Sequence, residues 1–419
     1  MKNVHQLRKI VLASLTSVLL LYPVVWIQGA NFTVNGYIKN FFVVYYHPDW
    51  GALLRKPAPD FLGAVNQRIR SQFFYQPTTW LMAEMEYDLS FRIQDSLLYS
   101  NIFQSSLIDP LKYRYKDFHR KWYPIRSKDQ GNFSVFQNLD RLVLTFRGSF
   151  YDLMVGRQTI AWGSARVVNP CDVIAPFTFD ELDKEERIGV DALRWRIPIG
   201  RLGEFDAGYI VGKAAQSKNS AFFTRLKLYK LQSDVSFLLV GFGQNVLIGL
   251  DIARSIGGAG TWLETAYVLT NEFKPENRDY AQNYFRATLG CDYSFNGKSY
   301  VFLEYHFNGA GQNQAKNYLW NLRKIAYQEG SVYLLGKHYL IPGCSYQFTP
   351  LISSVCESLI NLTDPSVYLA ISGEYNIAQN IYLVLGTFIG VGKSVRDFSY
   401  LSEFGGYPDV YFTSFRIYF

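Results

Sequence analysis

Glu304, His306 and Asn308 stand at every second position of the run Glu304-Tyr305-His306-Phe307-Asn308. Successive side chains of an extended strand point to opposite faces, so these three share one face. An acid, an imidazole and an amide on one face could form an acid–base centre or part of a metal site. Nothing else that such a centre needs accompanies them. The chain has only five His and no dense His/Asp/Glu cluster. The pattern reads better as a polar strip on a wall of strands. Gly257-Gly258-Ala259-Gly260 lacks the strand-to-helix setting of a phosphate loop and reads as a turn. No catalytic residue, cofactor or metal is assigned, and an enzyme is not expected.

A second set of residues would act through its field. Asp172, Asp180, Glu181, Asp183, Glu185 and Glu186 crowd one long link. Arg68 and Arg70 share a face of the extended run 62–76, and Arg141 and Arg147 share a face of the run 132–147. Opposed signs across a narrow aqueous section would set a transverse field and tune ion selectivity. The alternative is a solvated link, with the arginines paired to Glu84, Glu86 and Asp88 on the neighbouring run. Arg157 is ambiguous, because it shares parity with Tyr151, Leu153 and Val155, which have the look of an oily face. Either a bulge near Gly156 turns it to the other side, or it sits near the edge of that face.

The elements that must position these groups are strands. From Thr79 to Ile93, Leu81, Ala83, Met85, Tyr87, Leu89 and Phe91 alternate with Met82, Glu84, Glu86, Asp88, Ser90 and Arg92. A helix would scatter the same residues around its circumference. Similar runs recur from Phe32 to the carboxyl end, with Phe150 to Trp162 as the fifth and Val332 to Phe348 among the later ones. The count is about 18, with 16 as the alternative, since strand boundaries read from pattern are soft. Long links follow the first, third and fifth runs, at 47–61, 94–131 and 163–186. Short turns follow the second and fourth, and Asn296-Gly297 is a strong tight-turn signal. Long and short connections thus segregate to opposite ends. A β-sandwich has no reason to keep them apart, whereas an antiparallel up-and-down β-barrel does.

Composition and both ends of the chain agree. Aromatic residues make up 17%. The apolar run Ile10 to Ile27 follows Lys2, Arg8 and Lys9 and precedes a small-residue site, as in a signal peptide; residues 1–30 are read so, and 31–419 as one barrel domain. The formal charge is +7, of which three positives fall in that leader. The remainder, about +4, is too small to argue nucleic-acid binding, and it would favour anions if it lay in the lumen. In the last strand, Phe415, Ile417 and Phe419 share an apolar face. Cys344 and Cys356 are equidistant from Pro350 and could be cross-strand neighbours, bridged or reduced.

The chain resembles bacterial outer-membrane porins and related porin-like barrels. The resemblance is carried by the terminal aromatic strand, by Gly156-Arg157-Gln158-Thr159-Ile160-Ala161-Trp162-Gly163 leading into an acidic link, and by the segment Tyr300 to Gly309. It implies a transmembrane barrel with long external loops and short periplasmic turns. It further implies an outer-membrane location, export through the inner membrane, and recognition of Phe415, Ile417 and Phe419 by the barrel-assembly machinery. Trimers, common among porins, follow only by analogy of fold. The function expected is passive diffusion of small hydrophilic solutes. The wall candidates are Arg68, Arg70, Glu84, Glu86, Asp88, Arg141, Arg147, Glu304 and His306, with the acidic link as the constriction. The alternatives are a substrate-specific transporter of an anionic saccharide or organic acid, an outer-membrane hydrolase using His306, and an adhesin binding through 94–131.

Overall fold

The computed structural model describes residues 28–29, 31–47, 59–99, 110–124, 132–272, 282–394 and 400–419. Apart from Gln28–Gly29, the expected leader lies outside them, as does much of the 94–131 link. Eighteen long antiparallel strands form one closed sheet. They are β1 Phe32–Tyr46, β2 Phe61–Thr78, β3 Leu81–Gln94, β4 Phe133–Arg147, β5 Asp152–Gln158 and β6 Val190–Ile199. Next come β7 Gly203–Ile210, β8 Ala221–Lys230, β9 Ser233–Phe242, β10 Asn245–Ile256, β11 Ala259–Leu269 and β12 Tyr284–Phe295. The last six are β13 Ser299–Asn308, β14 His338–Thr349, β15 Ile352–Asn361, β16 Ser366–Ala378, β17 Ile381–Val391 and β18 Asp409–Tyr418. Two short pieces, Gln28–Gly29 and Lys121–Tyr123, add to the same sheet.

Each strand pairs with its neighbours in sequence, and β18 pairs with β1 from Tyr37↔Tyr418 to Tyr46↔Asp409. The terminal residue completes the seam: Gly36 N–H donates to Phe419 O at 2.8 Å, and Phe419 N–H to Gly36 O at 2.9 Å. Closure leaves β1 and β18 without an open edge, as a span through lipid requires. Period-two patterning then sorts the side chains. Leu142, Leu193, Phe237, Ile248, Leu289, Leu303, Leu385 and Tyr411 stand exposed on the outside as an apolar belt. Lys39, Arg70, Glu86, Asp88, Asp206, Glu264 and Glu304 face inward and are buried.

Turns on one rim are tight. Asn296 and Gly297 adopt φ of 50° and 64°, the left-handed pair that a two-residue hairpin prefers. Most long links gather on the other rim, although β9–β10 and β15–β16 are joined there by short ones. Cys344 and Cys356 stand directly opposite on β14 and β15, as thiols.

Two strands end or begin away from where the pattern places them. β5 stops at Gln158, although its apolar alternation runs on to Trp162. β14 begins at His338, not Val332. In both places the apolar residues turn into the barrel. Ile160 and Trp162 join a buried cluster with Phe223, Phe242, Tyr284 and Tyr327. Tyr333 and Leu334 join another with Phe179, Tyr339, Tyr368, Phe404 and Phe412. Inward-folded links and wall side chains therefore fill much of the external half of the barrel.

Candidate functional site

The 159–189 link crosses the lumen. It leaves β5 through Gly163, whose φ of +109° suits glycine, and where a Cβ would lie 2.4 Å from the Glu264 carboxyl. The far wall then takes hold of its main chain. Cys171 N–H (2.7 Å) and Ala165 N–H (3.1 Å) donate to Glu264 on β11, and the Asn169 amide adds 3.3 Å. Arg166 N–H (2.5 Å), Val167 N–H (3.1 Å) and the Trp262 indole N–H (2.9 Å) donate to Glu304 on β13. The Thr288 hydroxyl donates to Val168 O at 2.8 Å and lies 2.8 Å from His306 Nδ1. Buried amides that leave regular structure need acceptors, and the two carboxyls supply them.

The second half of the link reaches the opposite wall, β1 to β4. Lys39 Nζ, fully buried, lies 3.0 Å from Asp183 and also binds Glu185. Arg68 reaches Asp183 at 3.6 Å and Asp88 at 3.0 Å. Arg141 bonds Glu186 at 2.9 Å and Glu86 at 3.1 Å, with Glu84 3.7 Å away. Arg70 gathers Glu86, Asp88 (3.1 Å), Asp140 (2.8 Å) and Glu186 (3.7 Å). Asp140 stands on this face because a register shift between Glu86 and Tyr87 lets it and Arg141 both point inward. Burial would raise the Asp183 carboxyl, but Lys39, Arg68 and Arg416 more than offset it and hold it below the usual carboxylate range. Glu181 makes no ion pair among the described residues, and Lys184 and Arg187 offset its burial only in part. Burial, with Asp180 beside it, pushes it up to about 7.

Beside this contact lies a cavity of about 530 Å³, bounded by Asn66, Arg68, Asp88 and Arg92 of β2 and β3, by Arg120 and Asp140, and by Phe177, Glu181, Asp183 and Glu186 of the link. The wall side therefore carries charges of both signs, and the link side carries acids.

The structure brings Arg68, Arg70, Glu84, Glu86, Asp88 and Arg141 together with Asp183, Glu185 and Glu186. Other candidates fall elsewhere. Glu304 and His306 do not line the bore; the link lies over them, leaving each no more than 1% exposed. Asp172 does not face the basic wall either, being buried within the link against Arg187. Burial raises its carboxyl, only partly offset by Arg187. Asp180 is exposed, and Arg147 lies at the tight-turn end of β4 with Nη2 3.8 Å from Met82 Sδ. The register runs unbroken through Gly156, so no bulge turns Arg157. Instead it stays on its outer parity and is sheltered: Asp191 (2.7 Å), Asp117 (3.0 Å) and Leu139 O (2.7 Å) accept from it.

Several functional residues escaped the pattern reading. Lys39 and Glu264 were legible, each a lone charge on the inner parity of its strand. Arg114 and Asp117 were not, because the 110–124 segment has no period. Arg114 lies fully buried between Asp117 (2.9 Å) and Asp140 (3.1 Å), donating also to Gly189 O at 2.8 Å.

Over most of its length the chain superposes on solved outer-membrane proteins. A BenF-like porin from Pseudomonas fluorescens matches with TM-score 0.57 over 93% of this chain and 98% of that one, at 11% identity. The porin fold is what they share. OccK9 (OpdG) of Pseudomonas aeruginosa matches this barrel with TM-score 0.57 over 93% and 98%, at 9% identity. OccAB4 of Acinetobacter baumannii does so with TM-score 0.55 over 94% and 99%, at 8% identity. No protein-family model and no curated protein matches the sequence.

Proposed function

We propose that this chain is an outer-membrane channel through which small hydrophilic solutes diffuse passively, along a passage beside β2–β4 narrowed by the 159–189 link. The observation that carries the reading is the charged cavity between that link and the wall. Apolar clusters occupy much of the remaining external half, so water and ions are directed to the one side where polar groups face each other. The gradient across the membrane supplies the driving force. Purified protein in planar bilayers gives discrete conductance steps; a sealed bilayer containing demonstrably folded barrel refutes the proposal.

The tight external half also favours a selective channel over a general one. Five cations (Lys39, Arg68, Arg70, Arg114 and Arg141) meet seven carboxylates (Glu84, Glu86, Asp88, Asp140, Asp183, Glu185 and Glu186) at the contact. The anion preference inferred from whole-chain charge finds no support in that balance, and a weak cation preference follows from it. Saturable block of conductance by one solute identifies a specific transporter. His306 is buried against Thr288, which supports a structural part for the 304–308 strip and no catalysis. Phe415, Ile417 and Phe419 fall on the lipid-facing parity of the seam, where assembly machinery in the membrane would meet them.

A further inference from the structure

Cys344 on β14 and Cys356 on β15 stand directly opposite each other, and the Cys356 thiol donates a hydrogen bond to Cys344. Both occupy the lipid-facing parity of their strands. Cys344 shares its face with Tyr346 and Phe348, 44% and 57% exposed, while the alternate positions Tyr339 and Ile341 are buried in the barrel. Cys356 shares its face with Ile352. The chain has only two other Cys. Cys171 is buried in the crossing link, its N–H held by the far wall. Cys291 stands on β12, with all of β13 between it and β14. Two sheet spacings, about 9–10 Å, are too wide for a disulfide.

The spacing of the opposed pair is different. Leu362 N–H donates to His338 O at 2.8 Å, which makes 338↔362 a hydrogen-bonded pair. Hydrogen-bonded and open pairs alternate along an antiparallel ladder. The register sets Leu340 against Ile360 and Cys344 against Cys356, so the Cys pair is of the hydrogen-bonded kind. The Cα atoms of such a pair lie about 5.5 Å apart, at the separation most disulfides span. Closing the bond calls for side-chain rotation and a slight drawing together of the two Cβ atoms, with the strands left in place.

The ladder is irregular on both sides of this pair. It lapses at Ile341 and Pro342, because proline has no N–H to give, and it shifts between Gln347 and Thr349. A loosely specified hairpin slips, and a slip of one residue turns every side chain to the other face. Such a slip would carry Tyr339 and Asn361 outward, whose side chains bond the Glu403 carboxyl at 2.5 and 2.6 Å inside the barrel. We infer that Cys344 and Cys356 become a disulfide in the periplasm, and that the bond fixes the register of the β14–β15 hairpin during assembly. The two thiols give two protons and two electrons to the disulfide of a periplasmic thiol oxidant. One S–S bond forms, another breaks, and the oxidant leaves as a dithiol. The step precedes insertion, since afterwards both sulfurs face lipid, beyond the reach of a soluble oxidant. The inference rests on the outer-membrane reading but not on conduction.

The test is thiol trapping on the full chain from outer membranes. Cells are quenched in acid, and the chain is denatured and treated with N-ethylmaleimide before any reductant. Two thiols are modified, Cys171 and Cys291, and four after reduction. Chymotrypsin cuts after Tyr346, Phe348 and Leu351, so the unreduced digest holds the Cys344 and Cys356 peptides as one species that reductant splits. Four modified thiols before reduction, or a bridge to Cys171 or Cys291, overturns the inference. Pulse-chase labelling reads the assembly role. C344S/C356S acquires heat-modifiable gel migration several-fold more slowly than the parent, and C344S alone is equally slow. Assembly of both variants at the parent rate overturns the role in register. The double variant, once assembled, conducts as the parent does. A bridged parent chain that leaves the bilayer sealed would sink the channel proposal alone.

Discussion

Replacing both wall acceptors by amides, Glu264→Gln with Glu304→Gln, tests whether the 159–189 link is held where it crosses the lumen. Each carboxyl divides its two oxygens among three donors. Glu304 Oε1 takes Arg166 N–H and the Trp262 indole, and Oε2 takes Val167 N–H. Glu264 Oε1 takes Cys171 N–H, and Oε2 takes Ala165 N–H and the Asn169 amide. A glutamine keeps one acceptor oxygen and turns an NH₂ toward the other donors. At least one buried N–H per substitution is left without an acceptor, at about 1–3 kcal/mol each. The double variant therefore weakens docking by at least about 2 kcal/mol, a change of about 30-fold in the ratio of docked to released link. The ion pairs of Lys39 and Arg141 still hold the far end, so release is partial and reversible. Single-channel recording reads this as larger mean conductance and greater open-channel noise. Native conductance and noise, from a variant whose barrel migrates as folded, would refute the assigned role of the two carboxyls.

Lys39→Met removes the cation between Asp183 and Glu185, so the reversal potential in a tenfold KCl gradient shifts toward cations; no shift would place those carboxylates off the ion path. Glu181, with its carboxyl near 7, is protonated below that pH and ionised above it, so cation preference rises between pH 6 and 8. Glu181→Gln abolishes that step, and a persistent step would assign it to another group. Gly163→Ala forces a side chain into a backbone conformation that costs about 1–3 kcal/mol and against the Glu264 carboxyl. Its urea midpoint or its link docking falls, and a variant unchanged in both would remove Gly163 as the hinge of the crossing.

Period-two alternation made most strands legible, because a wall with lipid on one side and a polar interior on the other imposes it. It failed at 159–162 and 332–335 for one reason: an apolar side chain packed inside the barrel has the same composition as one facing lipid. Ile160, Trp162, Tyr333 and Leu334 are apolar because they bury against one another, and no feature of their spacing separates the two environments. Parity also told which face Glu304 and His306 occupy. It could not tell that a distant link would cover them, since that depends on contacts between residues more than a hundred positions apart. The grouping of acids on the link and arginines on β2 and β4 was visible as composition. Their pairing needed the fold, as did the register shift that brings Asp140 beside Arg70.

At 165, 166, 167 and 171 the crossing segment is moored by amides of its own main chain, beside the side-chain contact of Asn169 and the ion pairs of Asp183, Glu185 and Glu186. Any residue but proline offers that N–H; Ala165, Val167 and Cys171 are buried, but the Arg166 side chain is half exposed and is free to vary while the mooring persists. A lineage could therefore retune what the throat admits by point changes along the strap, leaving the cylinder that bears it untouched.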